Sequence, residues 1–288
     1  MKMEEDQVYR RMDGYKLIAV DMDGTLLRSD KSLDPDTIRD VEEASRQGIQ
    51  VVYSTGRAVP ELEAYVRQLP CMRYAVALSG ALVYDFQERK SVFCHMLSGE
   101  YIREIISVAG RYDAMAHLLA ESESIVRIDQ VSHMTDFHMG IYQPMFLELT
   151  RKVDDMWAEA KCHDAIPKVN VYFRSAKDRA EGYEALKHLP LSFAFAEGAS
   201  LEMNADGVTK ASGLQALAQR LGISMAETVG IGDADNDRAM LEAVGLSVAM
   251  ANGAKDIKAM CDAVTDDNDH NGVGKAIREY CALKTEEI

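Results

Sequence analysis

The chain of 288 residues has no run of about eighteen apolar residues, the length that a helix needs to cross a bilayer. No membrane partner is therefore expected. Residues 1–14 are charged and polar and lack an apolar stretch, so they read as a flexible tail rather than a secretory signal. Basic residues are outnumbered, 32 Lys and Arg against 47 Asp and Glu, for a net charge of −15. A phosphodiester backbone is held by clustered Lys and Arg, so nucleic acid is excluded as a partner. The five cysteines, Cys71, Cys94, Cys162, Cys261 and Cys281, are odd in number and dispersed, without a C-x-x-C pair. That usage fits a reducing cytoplasm better than a disulfide framework or a zinc site. None of the seven histidines stands in an H-x-H or H-x-x-x-H pair, so His133, His138 and His163 read as surface or packed residues. Internal repeats and low-complexity segments are also missing. What is left is a globular composition, 47% hydrophobic and 27% charged, long enough for one large or two moderate domains.

Strand and helix signals alternate at both ends of the chain. Leu17-Ile18-Ala19-Val20 is an apolar run suited to a buried strand. Asp34-Pro35 then supplies an N-cap and a first-turn proline, Ile38, Val41 and Ala44 a helical stripe, and Gly48 a stop. Ile49 to Tyr53, a helix over Pro60 to Gln68 and a strand over Tyr74 to Leu78 continue the pattern. It resumes with a helix over Thr209 to Leu221, a strand over Thr228 to Gly232, a helix over Asp235 to Val244, and strands at Leu246 to Met250 and Ala263 to Thr265. Gly272 to Leu283 reads as a last helix. Such repetition predicts an α/β fold, a Rossmann-like doubly wound parallel sheet. Between the two ends, residues 86–196 mix alternating segments (Ser124 to Ile128, Lys168 to Phe173) with helical stretches at Ser98 to Tyr112 and Tyr142 to Lys161. About 110 residues are too many for a loop, and they predict an inserted α+β domain. The core then comprises 15–85 and 197–288. Trp157, in an acidic helix, reads as packed.

The first strand ends in Asp21-Met22-Asp23-Gly24-Thr25. Side chains two apart on an extended chain point the same way, so both carboxylates can face one site, where they repel unless a cation or a shared proton separates them. A divalent cation and a nucleophile with an acid/base partner suit this place, the carboxyl end of a parallel strand. A plain Asp-Gly turn suits the same letters. Three further segments put polar residues at strand ends or helix starts. Thr55-Gly56-Arg57 offers a hydroxyl and backbone N–H groups for a phosphate, and equally a turn. Lys210 sits in the first turn of a helix, against the dipole, where a cation is mildly unfavourable unless an anion needs it. Gly232-Asp233-Ala234-Asp235-Asn236-Asp237 suits a cation. It is not an EF-hand, because Arg238 and Val244 stand where that loop needs Gly and Glu. Asp235 also suits the cap of the helix that follows.

Taken in order, D-x-D-G-T, T-G-R, G-V-T-K and G-D-x-x-N-D are far more specific than any one of them. Together they resemble the haloacid-dehalogenase-like (HAD) phosphohydrolases, over about residues 15 to 285, and within them the Cof-type, class IIB sugar phosphatases with a C2 cap. The long gap from Arg57 to Lys210, against 31 positions from Asp23 to Ser54, puts the insertion where that branch carries its cap. The resemblance implies a Mg²⁺-dependent phosphatase of small phosphorylated metabolites, sugar phosphates first, working as a monomer or weak homodimer. It implies Asp21 as nucleophile and Asp23 as acid/base. Thr55, Gly56, Lys210 and Asn236 would hold the phosphate. Mg²⁺ would be bound by Asp21, the Asp23 carbonyl and Asp233, with Asp237 behind them. The family's Asn-Gly-Ala after the third strand is here Ser79-Gly80-Ala81. A phosphomutase would share this core, and an idle phosphometabolite-binding protein would not need Asp23.

Overall fold

The computed structural model describes residues 14–195 and 198–280. The expected tail falls outside them except for Gly14, as does the end of the last helix. The chain divides into two compact units. The first takes the residues up to Tyr53, Tyr65–Tyr74 and those from Ala218, and the second takes Ser54–Ala64 and Ala75–Leu217.

In the first unit the strands Ala263–Val264, Leu246–Ala249, Thr228–Gly232, Leu17–Val20 and Gln50–Ser54 lie side by side in that order, all parallel. Leu17 to Val20 are fully buried, as a strand flanked on both sides and both faces must be. Helix Pro35–Arg46 begins as its sequence demands, with the Asp34 carboxylate accepting the Asp36 N–H, and ends before Gly48 at φ +88°. The expected α/β pattern is present.

The second unit contains a six-stranded sheet in the order Leu191–Phe195, Ser200–Ala205, Lys168–Tyr172, Met115–Leu119, Ser124–Arg127, Arg151–Val153. Neighbours are antiparallel except the last pair. One face carries Ala116, Leu118, Val169, Val171, Leu201 and Met203 into an apolar core with helices Gly99–Arg111 and Ala176–Leu186. Several of the alternate residues of the same strands are polar where they meet across the sheet. Asn170 lies between His117 and Glu202, and Lys168 is paired with Asn204.

Two expectations fail here. The single helix read over Tyr142 to Lys161 is two short helices, Gln143–Leu149 and Met156–Ala160, with the strand Arg151–Val153 between them. Thr150 closes the first through its hydroxyl on the Phe146 carbonyl, and Asp155 caps the second by accepting the Trp157 and Ala158 N–H groups. Strand pairing with Ile125 to Arg127 outweighs a weak helical periodicity. Trp157, read as packed, is 42% exposed, with the Lys161 ammonium over its ring.

His117 is buried on the polar face, its Nδ1 against the Tyr172 hydroxyl at 3.3 Å and its Nε2 unpartnered. Burial, with the Lys168 charge nearby, lowers its pKa to about 3. The folded protein therefore holds this imidazole neutral, whereas the unfolded chain protonates it below about 6.5. Its contribution to stability is complete above that value and is lost as pH falls towards 3. Between pH 7 and pH 5 the parent should lose roughly 1–2 kcal/mol more than His117→Gln. Urea midpoints at the two pH values measure this, and equal losses would mean that His117 titrates normally.

Candidate active site

In the first unit Asp21 and Asp233 directly follow adjacent parallel strands, Leu17–Val20 and Thr228–Gly232. The register pairs Val20 with Ile231, and the Asp21 N–H donates to the Ile231 carbonyl at 3.0 Å. Strand pairing thus brings together two carboxylates more than two hundred positions apart. Asp21, Asp233 and Asp237 each present a carboxylate oxygen within 4.8 Å of the others. Asp21 is 4% and Asp237 0% exposed.

Two of the three are held by neighbouring groups. Thr25 Oγ1 donates to Asp233 Oδ1 at 2.9 Å. One oxygen of Asp237, Oδ2, accepts the Asp233 and Ala234 N–H groups at 3.0 and 3.1 Å, so Asp237 fixes the backbone that presents Asp233. Gly24 has φ +82°, and a Cβ there would lie 2.5 Å from Asp233 Oδ2, so no side chain fits between the two loops. The Gly24 and Leu27 carbonyls accept the side-chain amides of Asn252 and Asn268 at 2.8 and 2.9 Å.

Asp23 is turned differently. Its Oδ1 accepts Lys31 Nζ at 2.8 Å, and its side chain is not in the three-carboxylate group. Lys31 itself has φ +67°, in the left-handed region that β-branched residues avoid. Asn236 follows in the same loop, and its buried side-chain oxygen has no hydrogen-bond partner. Asp235, the candidate cap, is instead exposed and paired with Arg238 Nε at 2.8 Å.

The second unit holds Thr55, Gly56 and Lys210. Thr55 and Lys210 are each 1% exposed, and Thr55 Oγ1 accepts the Arg57 N–H at 3.2 Å. Lys210 is the first residue of helix Lys210–Leu221. Arg127 pairs with Asp129 at 2.6 Å, and Arg174 with Asp113 and Asp136 at 2.8 and 2.9 Å. His133 and His138 contact backbone carbonyls, and His163 contacts Glu159.

Three carboxylates this close repel unless a cation or a shared proton separates them, and the group could hold a metal ion. Hard oxygen donors without nitrogen or sulfur suit Mg²⁺ or Ca²⁺ rather than zinc. Sequence reasoning missed Lys31, Asn252 and Asn268. Nothing in their local sequence marks them, because Lys31 meets Asp23 across a turn and the two asparagines meet carbonyls more than two hundred positions away.

A family model of haloacid dehalogenase-like hydrolases matches residues 18–277. The chain belongs to that family. The family consists of enzymes, and its fold is the one this chain adopts. Phosphatase YwpJ of Bacillus subtilis is 28% identical over 291 residues, covering 91% of this chain and 99% of its own. The 5-amino-6-(5-phospho-D-ribitylamino)uracil phosphatase YitU, also of B. subtilis, is 26% identical over 272 residues, with 93% and 98% covered. A solved haloacid dehalogenase-like hydrolase from B. subtilis superposes with a TM-score of 0.82 at 25% identity, over 92% of this chain and 99% of that one. The hydrolase thus matches phosphatases end to end. Among its described residues no helix is long and apolar enough to cross a membrane.

Proposed function

We propose that this hydrolase is a Mg²⁺-dependent cytoplasmic phosphatase of small phosphorylated metabolites, sugar or sugar-alcohol phosphates first. The observation that carries the proposal is the Asp21, Asp233 and Asp237 cluster at the carboxyl ends of adjacent parallel strands. The phosphoribityl substrate in the name of one relative agrees with it.

Bound Mg²⁺ would neutralise charge on the transferring phosphoryl group, held by Asp21, the Asp23 carbonyl and Asp233. The chain's own groups carry the rest. Asp21 attacks phosphorus in line and becomes an aspartyl-phosphate, while Asp23 gives a proton to the leaving alkoxide. Asp23 then takes a proton from water, which attacks the same phosphorus and releases inorganic phosphate. In this mechanism Lys31 holds the Asp23 carboxylate in place. Thr55 donates its hydroxyl proton to a phosphate oxygen, joined by the Gly56 N–H, the Lys210 ammonium and the Asn236 amide. Asp237 keeps Asp233 in register. Phosphoryl transfer needs positioning and charge neutralisation more than covalent chemistry, and these groups supply both.

All these groups address phosphate or metal, which every phosphate ester shares. We assign discrimination among leaving alcohols to the inserted segment, residues 86–196, acting as a C2-type cap on a core of 15–85 and 197–288. Purified protein given a panel of phosphorylated metabolites should release inorganic phosphate with Mg²⁺ and none with a chelator. A panel without turnover would overturn the reading. Substitutions on the polar sheet face of the insertion, Lys168 apart, should reorder kcat/KM among sugar phosphates by about tenfold, with acetyl phosphate hydrolysis little changed. An unaltered ranking would move specificity to the core loops.

A further inference from the structure

Lys168 is 0% exposed, although it carries an ammonium group. A buried charge is retained only where its protons all find acceptors. Here Nζ donates to Glu202 Oε2 at 2.6 Å, to Ser79 Oγ at 2.7 Å and to the Gly56 carbonyl at 3.2 Å. Ser79 Oγ in turn donates to Glu202 Oε2 at 3.1 Å. The three protons of the ammonium are accounted for, so Lys168 has none left for a substrate. Its charge is balanced by that of Glu202, so the pair carries no net charge. What the pair holds is a turn.

That turn is strained. Leu78 and Ser79 have φ of +53° and +59°, two successive side-chain-bearing residues in the left-handed region. Each such residue costs free energy and persists only where its surroundings over-determine it. The surroundings are specific. The Ser79 N–H donates to the Thr55 carbonyl at 3.0 Å and the Leu78 N–H to the Arg57 carbonyl at 3.1 Å, while Asn204 Nδ2 donates to the Leu78 carbonyl at 3.1 Å. The next residue, Gly80 at φ +100°, lies so close to the Lys210 helix start that a Cβ would sit 1.9 Å from the Thr209 carbonyl oxygen and 3.0 Å from the Lys210 nitrogen. One side of the turn is therefore bonded to the Thr55-Gly56-Arg57 loop, and the other packs on the residue that begins the helix with Lys210.

We infer that Lys168 and Glu202 are positioning residues for phosphate binding, a buried ion pair that locks the Leu78-Ser79-Gly80 turn and thereby fixes the spacing of Thr55 and Lys210. The inference rests on the reading of Thr55 and Lys210 as phosphate ligands. It explains why serine works at position 79. A hydroxyl accepts from Lys168 and donates to Glu202 with one atom, which closes the triad.

The test uses the full-length protein, with inorganic phosphate as a competitive inhibitor. The Lys168→Met/Glu202→Met double variant removes both charges, so neither is left buried alone. Its phosphate inhibition constant and the KM for acetyl phosphate should each rise by roughly tenfold to a hundredfold, the scale of a displaced binding group. Mg²⁺ affinity, set by Asp21 and Asp233, should stay within about twofold by the same reasoning. Ser79→Ala keeps the ion pair and the fold, and should raise the inhibition constant severalfold. Lys168→Arg should recover part of what the double variant loses, because it restores the charge. Thr55→Val serves as the reference. If Thr55→Val weakens phosphate and neither Ser79→Ala nor a folded double variant does, the clamp is wrong. If Thr55→Val itself leaves phosphate inhibition unchanged, the phosphate-ligand reading falls and the inference goes with it.

Discussion

Asp21→Asn should leave a folded protein whose turnover is reduced by roughly a thousandfold or more, since the proposed mechanism passes the phosphoryl through this carboxylate. The substitution is nearly isosteric, and it removes one charge from three carboxylates whose oxygens lie within 4.8 Å of one another. In the absence of metal, thermal stability should hold or rise, because the repulsion that a cation would relieve is reduced. Circular dichroism checks the fold, and phosphate release from the best substrate checks turnover. A folded variant with near-parental activity would remove Asp21 from the mechanism.

Asp23→Asn is expected to separate proton transfer from metal binding. Its backbone carbonyl survives, so Mg²⁺ affinity should change little, whereas kcat for an alkyl phosphate should fall by about a hundredfold to ten-thousandfold. Acetyl phosphate, whose leaving group needs little protonation, should suffer less in the first half-reaction. The Lys31 ammonium, now 2.8 Å from a carboxylate oxygen, would face a neutral amide, so a small loss of stability accompanies the change. Asp233→Ala should do the opposite, weakening Mg²⁺ directly. Calorimetric Mg²⁺ titration of the two variants distinguishes the roles, and equal losses of affinity would show the ligands to be misassigned.

The parts of this molecule that repeat locally could be read before folding. The apolar run Leu17 to Val20, the Asp34-Pro35 helix start and the stop at Gly48 each carry their cause within a few residues, and the structure shows them where expected. The carboxylates Asp21 and Asp233 were legible for another reason, since charge at the end of a buried strand is costly unless it is used. The break between Leu149 and Met156 was not, because its cause is a strand partner at Ile125 to Arg127. Nor was the Lys168 clamp. A lysine on an alternating strand reads as an exposed face, and only the register with Asn204 and the arrival of Ser79 and Glu202 show that this face is inside. The same holds for Asn252 and Asn268, whose carbonyl partners lie more than two hundred residues away.

The pairing of Leu17–Val20 with Thr228–Gly232 also sets when the enzyme becomes an enzyme. Asp21 is synthesised more than two hundred residues before Asp233 and the strand that flanks its own. At about 5–20 residues per second this leaves an apolar segment waiting for roughly ten seconds or longer without one of its neighbours. Entropy argues against early closure, since joining ends so far apart costs more than any local contact returns. The second unit is complete in sequence by Leu217, before that strand is made. Chains cut short before Asp233 would thus contain Asp21 without the other two carboxylates of its cluster.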